Sequence, residues 1–85
     1  MYFVYLLESS INNKWYIGYT PAKVLNRLVQ HNKGKVQSTK AFKPWKIIYY
    51  EAYINRSDAL GRERFLKSGA GRRFLKKQLK NYFLK

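Results

Sequence analysis

Residues 2–8 form an apolar run that ends at Glu8. Its aromatic and branched residues favour a strand, and apolar side chains fall on both alternating faces, as a strand buried on both sides requires. The polar cluster 9–13 predicts a turn. Residues 14–19 read as a second strand, and the short link makes it an antiparallel hairpin with the first. Thr20 and Pro21 read as a helix start, with a hydroxyl at the cap and proline at the first helical position. Val24, Leu25 and Leu28 then form an apolar stripe, and Gly34 closes the helix just after Asn32. Residues 35–44 are polar and basic and predict a loop, followed by a third strand over 45–53. Ser57 reads as the next cap, with Asp58 in the first turn of a helix that runs to about Lys67. Gly69 and Gly71 predict a break. A last helix spans 72 to about 83, where Phe74, Leu75, Leu79, Tyr82 and Phe83 share one face. The order is ββαβαα, an α+β chain. No repeat or linker divides it, so one domain is expected over residues 1–85.

Charge changes this picture more than length does. Eighteen Lys and Arg stand against four Asp and Glu, a net charge of +14. Such a field attracts polyanions, nucleic acid first. A content of 46% hydrophobic and 18% aromatic residues excludes a disordered basic tail. With no cysteine, disulfides and thiolate zinc sites are excluded. Residues 1–7 are too short and lack the basic start of a signal peptide. No run approaches the roughly 20 apolar residues that span a bilayer. A cytoplasmic protein without a membrane partner is expected.

In so basic a chain, carboxylates are the scarce group, and a hard divalent ion needs them. Asp58 is explained by its helix start. Glu8 and Glu51 sit near strand ends, where ion pairs are common. Glu63 differs: Ala59, Leu60 and Leu66 flank it at i−4, i−3 and i+3, which places it on an apolar stripe. A carboxylate there is either a half-buried ion pair or a metal ligand. Tyr5 and Tyr16 fall on the paired strands, as packing residues or as chemistry. Arg27 and His31 lie four apart on one helix face, which makes either a solvated basic face or a phosphate clamp.

Taken together, these residues resemble the GIY-YIG nuclease domain over about residues 2–80. Val4-Tyr5-Leu6 stands for the first signature element and Tyr16-Ile17-Gly18 is an unmodified second one. Arg27 to His31-Asn32 matches the family's helix arginine and its Arg-x-x-x-His-Asn arrangement. Glu63, within residues 59–67, matches the metal-binding glutamate. Residues 16–20 and 31–35 are similar to small stand-alone members, the excinuclease-subunit-C-like or UPF0213 type. The resemblance implies a three-stranded antiparallel sheet flanked by three helices. It also implies hydrolysis of DNA phosphodiesters with one Mg²⁺ or Mn²⁺ ion. In that scheme Glu63 holds the metal, Tyr16 is the leading general base and Tyr5 supports it. Arg27 holds a phosphate oxygen, His31 bonds to phosphate or nucleophile, and Gly18 lets phosphate approach the strand. The chain departs from the family pattern in three places. Tyr19 stands where many members carry lysine, a role Lys23 could take. Phe3 replaces the first glycine, and Asn81 alone could be the family's late asparagine.

The basic last third, Arg62, Arg72 and Arg73 included, combines solvated surface with expected phosphate contacts that carry no sequence information. Trp15 and Trp45 are either core or stacking platforms for unpaired bases. Branched, nicked or single-stranded DNA is therefore the expected substrate, with a protein partner as a possible source of specificity, in repair or recombination. Two rival readings are a non-catalytic basic nucleic-acid-binding module and an RNA- or ribosome-associated protein.

Overall fold

The apolar run at the start of the chain becomes the middle of the sheet. The computed structural model describes residues 1–84; Lys85, the last residue of the expected domain, lies outside the described residues. Strand β1 (Tyr2–Ser9) pairs antiparallel with β2 (Trp15–Thr20) on one side and with β3 (Trp45–Tyr53) on the other, giving the order β2-β1-β3. Its central place explains why both faces are apolar. Val4 and Leu6 point into one core with Ile17, Ala59, Leu66 and Leu75. Tyr5 and Leu7 point into the other with Val24 and Trp45. Helices α2 (Arg56–Lys67) and α3 (Gly69–Gln78) supply the first core, and α1 (Val24–Asn32) the second. A short helix α4 (Lys80–Phe83) ends the described chain. The α+β class, the strand order and the three long helices are as the sequence predicts, with one helix divided: the expected last helix splits at Leu79 into α3 and α4.

Helix starts differ from the sequence expectation. Thr20 is still a strand residue, paired with Phe3, and its hydroxyl accepts from the Ala22 amide at 3.1 Å. It closes a turn, while α1 begins four residues later at Val24, behind Lys23. Asn55, not Ser57, caps α2, because its side-chain oxygen accepts from the amides of Ser57 at 2.8 Å and Asp58 at 3.4 Å. The two glycines do not open a gap. Ser68 alone separates the helices, ending α2 and capping α3 through a bond from the Gly71 amide at 3.1 Å. Gly71 is buried against α2, where a Cβ would collide with the Phe65 carbonyl and the Leu66 backbone. Its value is close approach of α3 to α2, not freedom.

The basic loop before β3 is tied down at both ends. Asn32 donates to the Trp45 carbonyl at 3.0 Å and accepts from its amide at 2.6 Å. The Trp45 indole donates to the Thr39 carbonyl at 2.9 Å. A 3-10 turn at Lys40–Phe42 receives the Ser9 hydroxyl on the Phe42 carbonyl at 2.6 Å. Trp45 is therefore core, the first of the two readings its sequence position allows, and is not a stacking platform. Among the described residues, no helix is long and apolar enough to cross a membrane.

The two glycines of α3 give a test of this packing. Gly71→Ala should destabilise the protein by about 2 kcal/mol or more, as overpacking against a rigid backbone does. Gly69→Ala meets only the mobile end of Arg73 at 3.5 Å. It should be neutral or stabilising by about 0.5 kcal/mol. Urea unfolding of the two variants checks the contrast; equal effects would refute the close approach at residue 71.

Candidate active site

Tyr5 faces Gly18 across the β1–β2 ladder. A Cβ at residue 18 would fall on the Tyr5 ring carbon and hydroxyl, so the ring lies over β2 at that point. Because β2 is an edge strand, the glycine carries a central-strand hydroxyl toward the sheet edge. The space that the resemblance reserves for a phosphate at Gly18 is thus filled by Tyr5 on this face.

The Tyr5 hydroxyl lies 2.9 Å from Nε2 of His31, which is fully buried. The other ring nitrogen, Nδ1, lies 2.7 Å from the Thr39 hydroxyl. Thr39 can donate to the Val36 carbonyl at 3.4 Å. The bonds are then satisfied together when Nδ1–H donates to Thr39 and Tyr5 donates to Nε2, an assignment made from the network. The electrostatics agree. Burial, and then the charge of Arg27, push His31 down to about 4, so it is neutral at pH 7. Burial pushes Tyr5 up to about 12, against the opposing pull of Arg27. Tyr5 therefore holds its proton at neutral pH. Here His31 faces Tyr5 and Thr39 and not solvent, whereas the resemblance has it bond to phosphate or nucleophile.

Tyr16 is half-buried beside this pair. Its ring centroid lies 5.0 Å from that of His31, 6.4 Å from that of Tyr5 and 6.3 Å from that of Trp45. Its hydroxyl has no hydrogen-bond partner among the described residues. Arg27 comes from α1, is half-buried, and donates to Gln30 Oε1 at 2.6 Å. It borders a cleft of about 240 Å³ with Tyr19, Thr20, Asn26 and Gln30.

Glu63 comes from α2, on the opposite face of the sheet. Its side chain is 18% exposed and pairs with the exposed Lys67 ammonium at 3.2 Å, four residues on. Its charge, like that of Tyr16, raises the Tyr5 pKa, and Arg27 lowers it. Tyr5 thus lies within electrostatic reach of all three. Charges from both faces of the sheet thus bear on one hydroxyl at the β2 edge.

The other acids are committed elsewhere. Glu8 is buried, accepts from the Tyr82 hydroxyl at 2.5 Å and faces Lys46 at 3.7 Å. Burial pushes Glu51 up, but bonds from Arg62, Tyr49 and Tyr53 outweigh it and hold the carboxyl below its usual value. Arg62 grips Glu51 with Nε at 2.9 Å and Nη2 at 3.0 Å. That commits Arg62 to an internal pair, away from the expected phosphate contact. Lys23, Arg72 and Arg73 are exposed. Tyr19 is half-buried in the α2–α3 core, and its hydroxyl is buried without a protein partner among the described residues.

Among the described residues no three His, Asp or Glu side chains gather as metal ligands. Glu63 would be the sole protein carboxylate. That set suits Mg²⁺, which is held by one or two carboxylates together with substrate phosphate and water. The Lys67 ammonium already places a cation against this carboxylate, on a stem free to move. Thr39 and Lys67 complete the arrangement. Lys67 is foreshadowed by its i,i+4 spacing from Glu63; Thr39, in a polar loop, carries no signal in the sequence.

A family model described as the GIY-YIG catalytic domain matches residues 1–78. The chain is 38% identical over 63 residues to a UPF0213 protein of Pediococcus pentosaceus, covering 73% of this chain and 64% of that one. It is 38% identical over 69 residues to a UPF0213 protein of Staphylococcus epidermidis, covering 79% and 80%. A UPF0213 protein of Listeria monocytogenes is 39% identical over 67 residues, covering 78% and 72%. No solved structure gives a significant match. The family match contains Tyr5, Tyr16, Gly18, Arg27, His31 and Glu63, and so takes in the whole arrangement at the β2 edge: the chain belongs to the GIY-YIG family of nuclease domains.

Proposed function

We propose that the protein is a divalent-metal-dependent endonuclease that hydrolyses DNA phosphodiester bonds by structure rather than sequence. The observation that carries this reading is that Tyr5, lying over Gly18 at the sheet edge, feels the charges of Tyr16, Arg27 and Glu63, so that four elements and both faces of the sheet bear on one hydroxyl. Glu63 would hold one Mg²⁺ or Mn²⁺, which when bound supplies positive charge to the scissile phosphate and the leaving oxygen. Arg27 holds a non-bridging phosphate oxygen and stabilises its developing charge. Tyr16, whose hydroxyl is uncommitted, takes the proton of the attacking water. It does so by passing its own proton on as it accepts one, in a cationic setting. Tyr5 keeps its proton and positions the site, and His31 fixes the direction of that hydroxyl. Branched, nicked or single-stranded DNA in repair or recombination is the substrate class this reading assigns, in the cytoplasm, with specificity supplied by a partner.

One observation favours a second reading. Lys67 already satisfies Glu63, as it would in a basic binding module that does no chemistry. Labelled branched DNA with Mg²⁺ or Mn²⁺ separates the two. Turnover should fall about 100-fold or more in Glu63→Ala, Tyr16→Phe and Arg27→Ala, with circular dichroism unchanged. Lys67→Ala should retain activity or gain it at low metal concentration. Binding without turnover in either metal would establish the module, and undiminished cleavage by Glu63→Ala would exclude this site.

His31 predicts a pH dependence of stability. Its folded pKa of about 4 lies below its ordinary 6.5. The unfolded chain therefore binds more protons between those values, and stability falls as pH drops through that window. The loss attributable to His31 reaches about 3 kcal/mol by pH 4. His31→Gln keeps a neutral side chain, so its unfolding free energy should fall less steeply between pH 7 and 4 than that of the wild type. Parallel curves from urea denaturation would refute the buried neutral histidine.

A further inference from the structure

We propose that a second cleft, at the hairpin end of β2, holds the phosphodiester backbone of the DNA strand beyond the candidate active site. This rests on the nuclease reading above and adds the path of its substrate. The cleft measures about 750 Å³ and is lined by Lys14, Trp15, Arg72, Lys76 and Phe83, with Glu8 at its wall. Three cations from two elements converge on it. Lys14 comes from the β1–β2 connection, while Arg72 and Lys76 lie one turn apart on α3. None of the three has a carboxylate partner among the described residues. Glu8, the one acid at the wall, is taken by Tyr82 and Lys46. The cleft is therefore a concentrated and uncompensated positive field, while three of the four acids of the chain are ion-paired to other cations of the protein, Lys46, Arg62 and Lys67.

The aromatic lining decides which part of a nucleotide it takes. Trp15 already stacks on Phe83, with centroids 5.1 Å apart and planes 22° apart. The Arg72 guanidinium lies over the same indole at 6.0 Å. The ring is thus engaged within the protein, and the groups left to a ligand are cationic. An open space this wide, with three dispersed cations, suits several phosphates of one strand. Position supports the same occupant. Trp15 and Gly18 lie three residues apart on the edge strand, about 10 Å at the rise of a β-strand. A DNA strand rising about 3.4 Å per nucleotide covers that distance in roughly three nucleotides. One strand laid along β2 reaches both places.

The test is binding of a labelled single-stranded thymidine oligonucleotide in EDTA, read by fluorescence anisotropy. The paired variant Arg72→Ala/Lys76→Ala is compared with Lys33→Ala/Lys35→Ala, which removes the same charge after α1. All four residues are exposed, so both proteins should fold. The first pair should lose about tenfold in affinity, and its salt slope should become shallower by roughly 1.4, two phosphates at about 0.7 each. The control should change less than threefold. Wild-type Trp15 emission should shift on titration, as phosphate draws Arg72 from the ring, and Arg72→Ala should abolish the shift. Equal losses in the two pairs, or none in the first, would overturn the cleft. Because no metal is present, binding through the cleft without cleavage in a separate assay would sink the nuclease reading alone. Cleavage with a cleft pair that binds like wild type would sink the cleft alone.

Discussion

The hydrogen bond from Tyr5 to His31 is the constraint around which the rest is arranged. It joins the central strand to α1 by a ring that lies over the edge strand, and it can do so because residue 18 has no side chain. Its two ends support each other. A neutral imidazole can accept, and a phenol held well above its ordinary pKa can donate. Charging either group would bury an uncompensated charge, which the core opposes at both ends of the bond. Thr39 completes the chain by taking the second ring nitrogen, which requires the loop before β3 to dock. The Asn32–Trp45 clamp achieves that docking from the same helix. The site and the second core are thus one construction.

The same economy explains the three glutamates. Glu51 is held by a two-point arginine bond and two tyrosine hydroxyls, and Arg62 also lies 4.6 Å from the Phe74 ring centroid. Removing one partner there would strand a half-buried charge. Glu8 ties α4 to the sheet through Tyr82. Among the described glutamates, Glu63 alone rests on nothing but an exposed lysine one helical turn away, a kind of pair that contributes only about 0.3–0.5 kcal/mol. A competing cation displaces such a partner easily, and would not displace Arg62. Availability, more than burial, separates the candidate ligand from the structural carboxylates.

Elements whose environment is uniform along their length were legible from residues alone. The run at β1 reads as a two-sided strand because both its faces are covered. Caps were not legible where two suitable residues stand close together. Asn55 and Ser57 both suit a helix start, and Thr20 is drawn into β2 by its pairing with Phe3. Gly71 reads as a breaker, though its role is to let two helices touch, a property of the pair that neither helix shows alone. In the site, the signature residues were legible and their directions were not. His31 turns inward because Thr39, eight residues away, waits in a docked loop. Arg62 had a usable signal: it lies at i+3 from Ala59 and i−4 from Leu66, on the same stripe as Glu63. An arginine there predicts an internal partner by the argument that singled out the glutamate.

Why chemistry should gather at the edge of the sheet follows from its size. A sheet of three strands has one centre and two edges, and here helices cover both faces. A side chain on α1 and one on α2 are separated by the sheet everywhere except around its rim. Arg27 and Glu63 can therefore cooperate only beside an edge strand. Tyr5 must reach that rim from the middle strand, and a side chain at position 18 would block it. An open edge is ordinarily a hazard, since its unpaired amides invite another chain. In β2 the strand is six residues long and carries Trp15, Tyr16 and Tyr19, which fold over to either face and occupy the approach. The rim is thereby left to cations and hydroxyls, which favour a phosphate backbone over a further β-strand.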